Sequence, residues 1–171
     1  LWVRVYRDTP SGIEAGTDDA VAISGGSVET CDLADAYIAS VKASARVNGT
    51  AIRFVVDAGN GSAGPLGIAT LRALGFAPEP LFCDIDGRFP NHHPDPTVPA
   101  NLEALKARMI EIDADVGIAW DGDGDRLGAV DRNGDVIWGD KLLLLFARAV
   151  LAEHPGAAIL GEVKCPATLY A

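Results

Sequence analysis

Residues 121–126 read Asp-Gly-Asp-Gly-Asp-Arg and lie between the apolar runs Val116–Trp120 and Leu127–Val130. Glycines at 122 and 124 free the backbone from strand geometry, so the three carboxylates can wrap one centre. At ~4 Å separation each pair repels by about 4 kcal/mol at an effective dielectric near 20. The spacing therefore calls for a cation. Hard oxygen donors select Mg2+, Ca2+ or Mn2+ over thiophilic metals. An EF-hand loop would place Gly and Glu where Arg126 and Arg132 stand, and a calcium-binding β-roll would repeat the motif, which occurs once. Three carboxylates with room for water and a phosphate oxygen suit octahedral Mg2+, which makes Asp121, Asp123 and Asp125 the candidate ligands. The plain alternative is a solvated acidic turn. Arg126 is either a counter-charge to the cluster or a guanidinium aimed at a phosphate; the second reading is preferred.

Gly59-Asn-Gly-Ser-Ala-Gly64 satisfies a GxGxxG pattern between a strand and a helix, with Asp84 near the end of the next strand. A dinucleotide-binding module is thus the rival reading, although the pattern also fits a tight strand-to-helix turn. His92 and His93 sit among Pro90, Pro94, Pro96 and Pro99. Neighbouring histidines rarely reach one metal, so loop-anchoring hydrogen bonds are the expectation there. Lys164, at the end of the segment Gly161–Cys165, is either a solvated lysine or a phosphate and hydroxyl contact.

These groups need a scaffold. A chain of 171 residues with 49% hydrophobic residues is long enough to bury a core without staples. A formal net charge of −10 with no basic cluster argues against nucleic acid or an anionic membrane as partner. Cys31, Cys83 and Cys165 are odd in number and far apart, which suits a reducing, cytoplasmic setting. The apolar stretch Leu142–Ala147 is far short of the ~20 residues of a spanning helix. The Asn48-Gly-Thr50 and Asn60-Gly-Ser62 sequons are incidental in that setting.

Residues 8–30 read as connecting loop, and Leu33, Tyr37, Ile38 and Val41 fall at helical spacing with Asp32 available to start the helix. Strands are expected at 52–56, 80–83, 116–120, 127–130, 136–138 and 158–160. Helices are expected at 65–74, along the face of Leu102, Leu105, Met109 and Ile112, and at 141–153. Asn133-Gly134 predicts a type I′ hairpin turn. Alternating strands and helices imply an α/β fold, a layered αβα domain with a mixed, mostly parallel sheet. Ligands of such sheets gather at the carboxyl ends of strands, where the acidic loop lies.

Taken together, Val56-Asp-Ala-Gly-Asn-Gly61, Asp86–Pro96, Asp121–Arg126 and Val163-Lys-Cys165 resemble the α-D-phosphohexomutase superfamily, most closely its bacterial phosphomannomutase/phosphoglucomutase branch. The resemblance implies that Asp121, Asp123 and Asp125 bind Mg2+, that Arg126 works beside a phosphoserine, and that Lys164 lines the active-site cleft. It implies an enzyme that interconverts hexose 1-phosphate and 6-phosphate through a phosphoserine and a 1,6-bisphosphate. It also divides the chain: 1–31 as the tail of a first domain with its connecting segment, 32–138 as the second domain with the metal loop, and 139–171 as an incomplete start of a third. The family's phosphoserine loop, sugar loop and C-terminal phosphate-binding domain have no counterpart here, so the segment alone is expected to lack turnover. Pro166 and Thr168 depart from the polar and basic residues usual after Val-Lys-Cys. A noncatalytic, metal-stabilised domain is the third reading.

Overall fold

The computed structural model describes residues 6–9, 12–15, 31–162 and 165. The chain divides into two compact units, Leu1–Asp32 and Leu33–Ala171. In the first, β1 (Tyr6–Thr9) pairs antiparallel with β2 (Gly12–Ala15), with Tyr6 opposite Ala15. The loop expected from residue 8 onward thus contains a short hairpin, whose four-residue strands are too brief to show an alternation.

The second unit carries α1 (Ala34–Ser44), β3 (Phe54–Asp57), α2 (Ala63–Ala73), β4 (Glu79–Leu81), a 3-10 turn (Pro99–Leu102) running into α3 (Glu103–Glu111), β5 (Val116–Trp120), β6 (Leu127–Asp131), β7 (Val136–Ile137) and α4 (Gly139–Glu153). Its five strands form one sheet in the order β4-β3-β5-β6-β7. β4, β3 and β5 run parallel; β6 and β7 add antiparallel to one edge. The sheet is mixed because β5 to β6 is a reversal through the acidic loop, whereas the parallel strands are joined through helices.

Successive residues of β3 feed opposite faces. Val55 joins Leu102, Leu105, Met109, Ala119 and Val130 under α3, while Phe54 and Val56 join Ile68 under α2, with Phe76 edge-on to Phe54. The result is a three-layer αβα unit with every β3 residue buried. Gly117 lets β5 approach α3, since a Cβ there would meet the Met109 sulfur, and Gly67 lets α2 lie against the Trp120 ring. Both helices therefore sit close on the strand that leads into Asp121.

Three expectations are corrected. Residues 157–160 form no strand, and Leu160 is exposed; a run of three apolar residues has no neighbouring strand to pair with among the described residues. The turn after β6 is not type I′, because of its two central candidates only Gly134 takes a positive φ, +86°. Gly134 N–H donates to the Asp131 carbonyl, and the Asp131 carboxylate accepts from the N–H groups of Asn133 and Asp135; the aspartate holds the turn. Helix α1 begins at Ala34, and its N-cap is Leu33, with no side-chain capping bond. No helix among the described residues is long and apolar enough to cross a membrane.

Candidate functional site

The acidic loop leaves the carboxyl end of β5 and returns as β6, with Trp120 paired to Leu127 across its neck. Asp121 is buried; Asp123, Asp125 and Arg126 are exposed. The Oδ1 of Asp121 accepts the main-chain N–H groups of Gly124 and Arg126, each at 3.0 Å, and its Oδ2 accepts Arg126 Nε at 2.7 Å. Gly124 adopts φ +79°, and a Cβ there would lie 2.5 Å from the Ala63 Cβ, so both its conformation and its neighbour demand glycine.

One oxygen from each of Asp121, Asp123 and Asp125 lies within 4.8 Å of the others. The electrostatics follow. Negative charge on Asp123, with a further contribution from Asp121, raises the Asp125 carboxyl above the ordinary aspartate range. Burial pushes Asp121 upward as well, but the N–H and guanidinium of Arg126 outweigh it and hold that carboxyl below its usual value. The loop is thus an acidic centre with one arginine as internal counter-charge. Its hard oxygen donors, mutual repulsion and convergence fit a small divalent cation.

Two other loops fix this centre. In the glycine loop, Ser62 donates from N–H (2.9 Å) and Oγ (3.2 Å) to the Gly122 carbonyl. A Cβ on Gly61 would sit 2.7 Å from that same oxygen, and one on Gly64 would strike the Cys83 carbonyl. The glycines serve close packing of protein on protein. The space a pyrophosphate would need beside them is filled, so the dinucleotide alternative finds no support.

The proline-rich loop supplies the other wall. Pro94 and Pro96 are buried; Pro94 fits against Gly59 and Gly122, and Pro96 against Gly128. Asp95 Oδ1 accepts from Arg126 Nη1 at 3.3 Å, so the guanidinium bridges Asp121 and Asp95. Asn60, at φ +62°, donates from Nδ2 to the Asp84 carbonyl at 2.8 Å and accepts from Asn91 Nδ2 at 2.7 Å. His92 meets the expectation of loop anchoring: its Nε2 lies 3.0 Å from Asp57 Oδ2. Sequence reading missed Asp57, Asn60 and Asp95. Each is a polar residue whose partner lies 24 or more positions away; the available signal was an aspartate closing an apolar strand.

The structure brings Asp121, Asp123, Asp125 and Arg126 together. Lys164 lies outside the described residues.

A three-layer α/β unit whose central strand ends in three converging carboxylates and an arginine belongs to the layered α/β class that carries its polar groups at the carboxyl ends of strands. The particular family follows from comparison. Residues 35–134 match the family model for phosphoglucomutase/phosphomannomutase, alpha/beta/alpha domain II, and the chain belongs to this phosphohexomutase family. It is 45% identical over 145 residues to a phosphomannomutase/phosphoglucomutase of Pseudomonas putida, covering 85% of this chain and 31% of that protein. It is 42% identical over 148 residues to a phosphoglucomutase of Neisseria meningitidis, covering 85% and 32%. A solved phosphoglucomutase/phosphomannomutase family protein from Burkholderia thailandensis superposes with a TM-score of 0.72 at 48% identity, over 75% of this chain and 28% of that one. The chain therefore spans less than a third of the length of these relatives.

Proposed function

We propose that this chain is the metal-bearing part of a phosphohexomutase that interconverts hexose 1-phosphates and 6-phosphates through a phosphoserine enzyme and a 1,6-bisphosphate intermediate. The observation that carries the proposal is the convergence of three carboxylates at the carboxyl end of β5, with Arg126 alongside. Asp121, Asp123 and Asp125 would hold Mg2+. When bound, the ion supplies neutralisation of phosphate charge, which suits a loose phosphoryl-transfer transition state. Arg126 orients phosphoryl oxygens through its fork of N–H donors, and its contacts with Asp121 and Asp95 fix the direction of that fork. Lys164, by its place in Val163-Lys-Cys165, is assigned to substrate contact or proton transfer in the cleft.

Under this reading residues 1–31 and 139–171 belong to neighbouring domains, and the phosphoserine resides outside this chain. The segment alone binds Mg2+ without turning over sugar phosphate. Its negative charge disfavours nucleic acid and anionic membranes as partners, and the setting proposed is cytoplasmic. Calorimetric titration of Mg2+ into the wild-type chain and Asp123→Asn tests the metal, and a coupled mutase assay tests the activity. Absence of Mg2+ binding by the wild type, or turnover by this chain alone, would overturn the corresponding part.

A further inference from the structure

Beneath the acidic loop lies a second polar centre that the reaction scheme does not use. Asp57 ends β3 and is 1% exposed, one of the few buried charged side chains described. Its Oδ1 accepts the Gly59 N–H at 2.8 Å, and its Oδ2 faces His92 Nε2 at 3.0 Å. The other ring nitrogen of His92, Nδ1, lies 3.0 Å from the His93 carbonyl. The His92 ring is held edge-on by Phe82, a residue at φ +49°.

The proton count is constrained by these partners. A carbonyl oxygen can only accept, so Nδ1 must carry hydrogen. With Nδ1 protonated, a neutral ring would leave Nε2 bare against a bare carboxylate oxygen, two acceptors in contact in a buried site. One further proton must therefore lie between Nε2 and Oδ2, and the pair is neutral as a whole. Burial pushes the Asp57 carboxyl upward, in the sense of retaining a proton, while the Gly59 N–H and His92 pull it down. Besides these, the Cys83 thiol lies near Asp57, and the Asp84 carboxylate acts on that thiol.

The pair also sits where it governs the acidic loop. Two residues after His92, Pro94 wedges between the Gly59 and Gly122 turns: a Cβ on Gly59 would lie 2.8 Å from Pro94 Cβ, and one on Gly122 3.3 Å from Pro94 Cγ. One residue further, Asp95 contacts Arg126. Loosening His92 would release the wedge and the Asp95 contact together.

We propose that Asp57 and His92 are positioning residues, a proton-sharing brace that locks segment 92–96 against the acidic loop and so sets the geometry of Asp121 and Arg126. The inference deepens the function proposed above, and its metal arm rests on that reading. Groups that hydrogen-bond a metal ligand directly change affinity by about 10–100-fold when removed, and Asp57 and His92, which reach Asp121 only through Pro94, Asp95 and Arg126, act at the lower end of that range.

The test uses the 15N-labelled chain. At neutral pH, His92 Nδ1 should show the shift of a protonated ring nitrogen; a bare, pyridine-like Nδ1 overturns the brace without any variant being made. In His92→Gln and in the near-isosteric Asp57→Asn, exchange of the Gly124 and Arg126 amides should accelerate while that of Leu105 in α3 stays unchanged. Unchanged loop amides, or acceleration spread evenly through α3, overturn it. Mg2+ affinity of both variants should fall about tenfold relative to wild type. A wild-type chain that takes no Mg2+ defeats the metal reading, and the two amide readouts still decide the brace.

Discussion

Arg126 Nε donates to Asp121 Oδ2 at 2.7 Å within the same six-residue loop, so the arginine and the cation proposed for this site draw on one carboxylate. Asp121 is buried, and Arg126 is half exposed with a second tie to Asp95. Arg126→Gln removes a positive charge beside the acidic centre. Mg2+ binding to the chain should then tighten several-fold, by calorimetry, because a neighbouring like charge is gone. Stability in chelator should fall, because Asp121 loses its ionic partner. In a full-length relative carrying the same change, turnover should drop. Opposite signs for binding and turnover would separate a phosphate-orienting arginine from a mere counter-charge.

Asp123 contributes repulsion to the loop, raising the Asp125 carboxyl, and an oxygen to the proposed cation site. Asp123→Asn should raise the melting temperature in chelator while weakening Mg2+ binding at least about tenfold, the lower bound for losing even an outer-sphere partner. Thermal melts with and without Mg2+ check both. An increase in metal-induced stabilisation would contradict the site.

Close approach gives a third prediction. A Cβ on Gly61 would lie 2.7 Å from the Gly122 carbonyl and 3.0 Å from Gly122 Cα, both backbone atoms that cannot swing away. Gly61→Ala should destabilise by about 1–3 kcal/mol, as overpacking does, and should shift the amide signals of residues 122–126. Gly87→Ala is the matched control, since nothing lies within 4 Å of its Cβ position and its φ is not positive. Its unfolding free energy should be unchanged within about 0.5 kcal/mol.

The elements that position the site were legible wherever local pattern and burial agree. Val116–Trp120 is found at both ends because it is a short apolar run closed by Asp and Gly, and the α3 face emerges from the spacing of Leu102, Leu105 and Met109. The Asp121–Arg126 loop could be read because all its donors are contiguous. Asp57 and His92 could not, since 35 residues separate them and only folding makes one the partner of the other. The hairpin at Asn133 was mistaken in type because the side chain of Asp131, not the Asn-Gly pair, shapes the turn. Residues 158–160 form no strand because none of the described strands lies beside them, a fact no local window contains.

Leu105 offers a test of the core independent of the site. Its side chain is fully buried with Val55, Leu102, Met109 and Val130 and touches the face of β5 that leads to Asp121. Leu105→Ala should cost about 2–5 kcal/mol, read as a lower urea midpoint with the slope retained. Ile110, on the same helix but 82% exposed, should tolerate alanine within about 0.5 kcal/mol. Equal effects would mean that α3 does not lie on the sheet as described.

At the opposite end of the sheet, Asp113 accepts from Arg53 at 2.6 Å and Arg132 at 2.5 Å, and Asp115 accepts from Arg132 at 2.7 Å. The two guanidinium groups hold the Asp113 carboxyl below its ordinary value. A native pKa below the unfolded one means the folded state binds the proton less well, so the stabilisation is present above the unfolded aspartate range and vanishes as pH falls through the native value. Asp57 and Asp125 are shifted upward and act in the opposite sense, losing stability as pH rises through their range. The comparison must therefore be differential. Arg53→Met/Arg132→Met should flatten the acid limb of stability against pH relative to wild type, with the gap largest near neutrality and closing below the aspartate range. The groups are exposed, so salt should shrink that gap. Urea midpoints measured at low and high ionic strength across the acid range check it, and a gap that widens on acidification would refute the pairing.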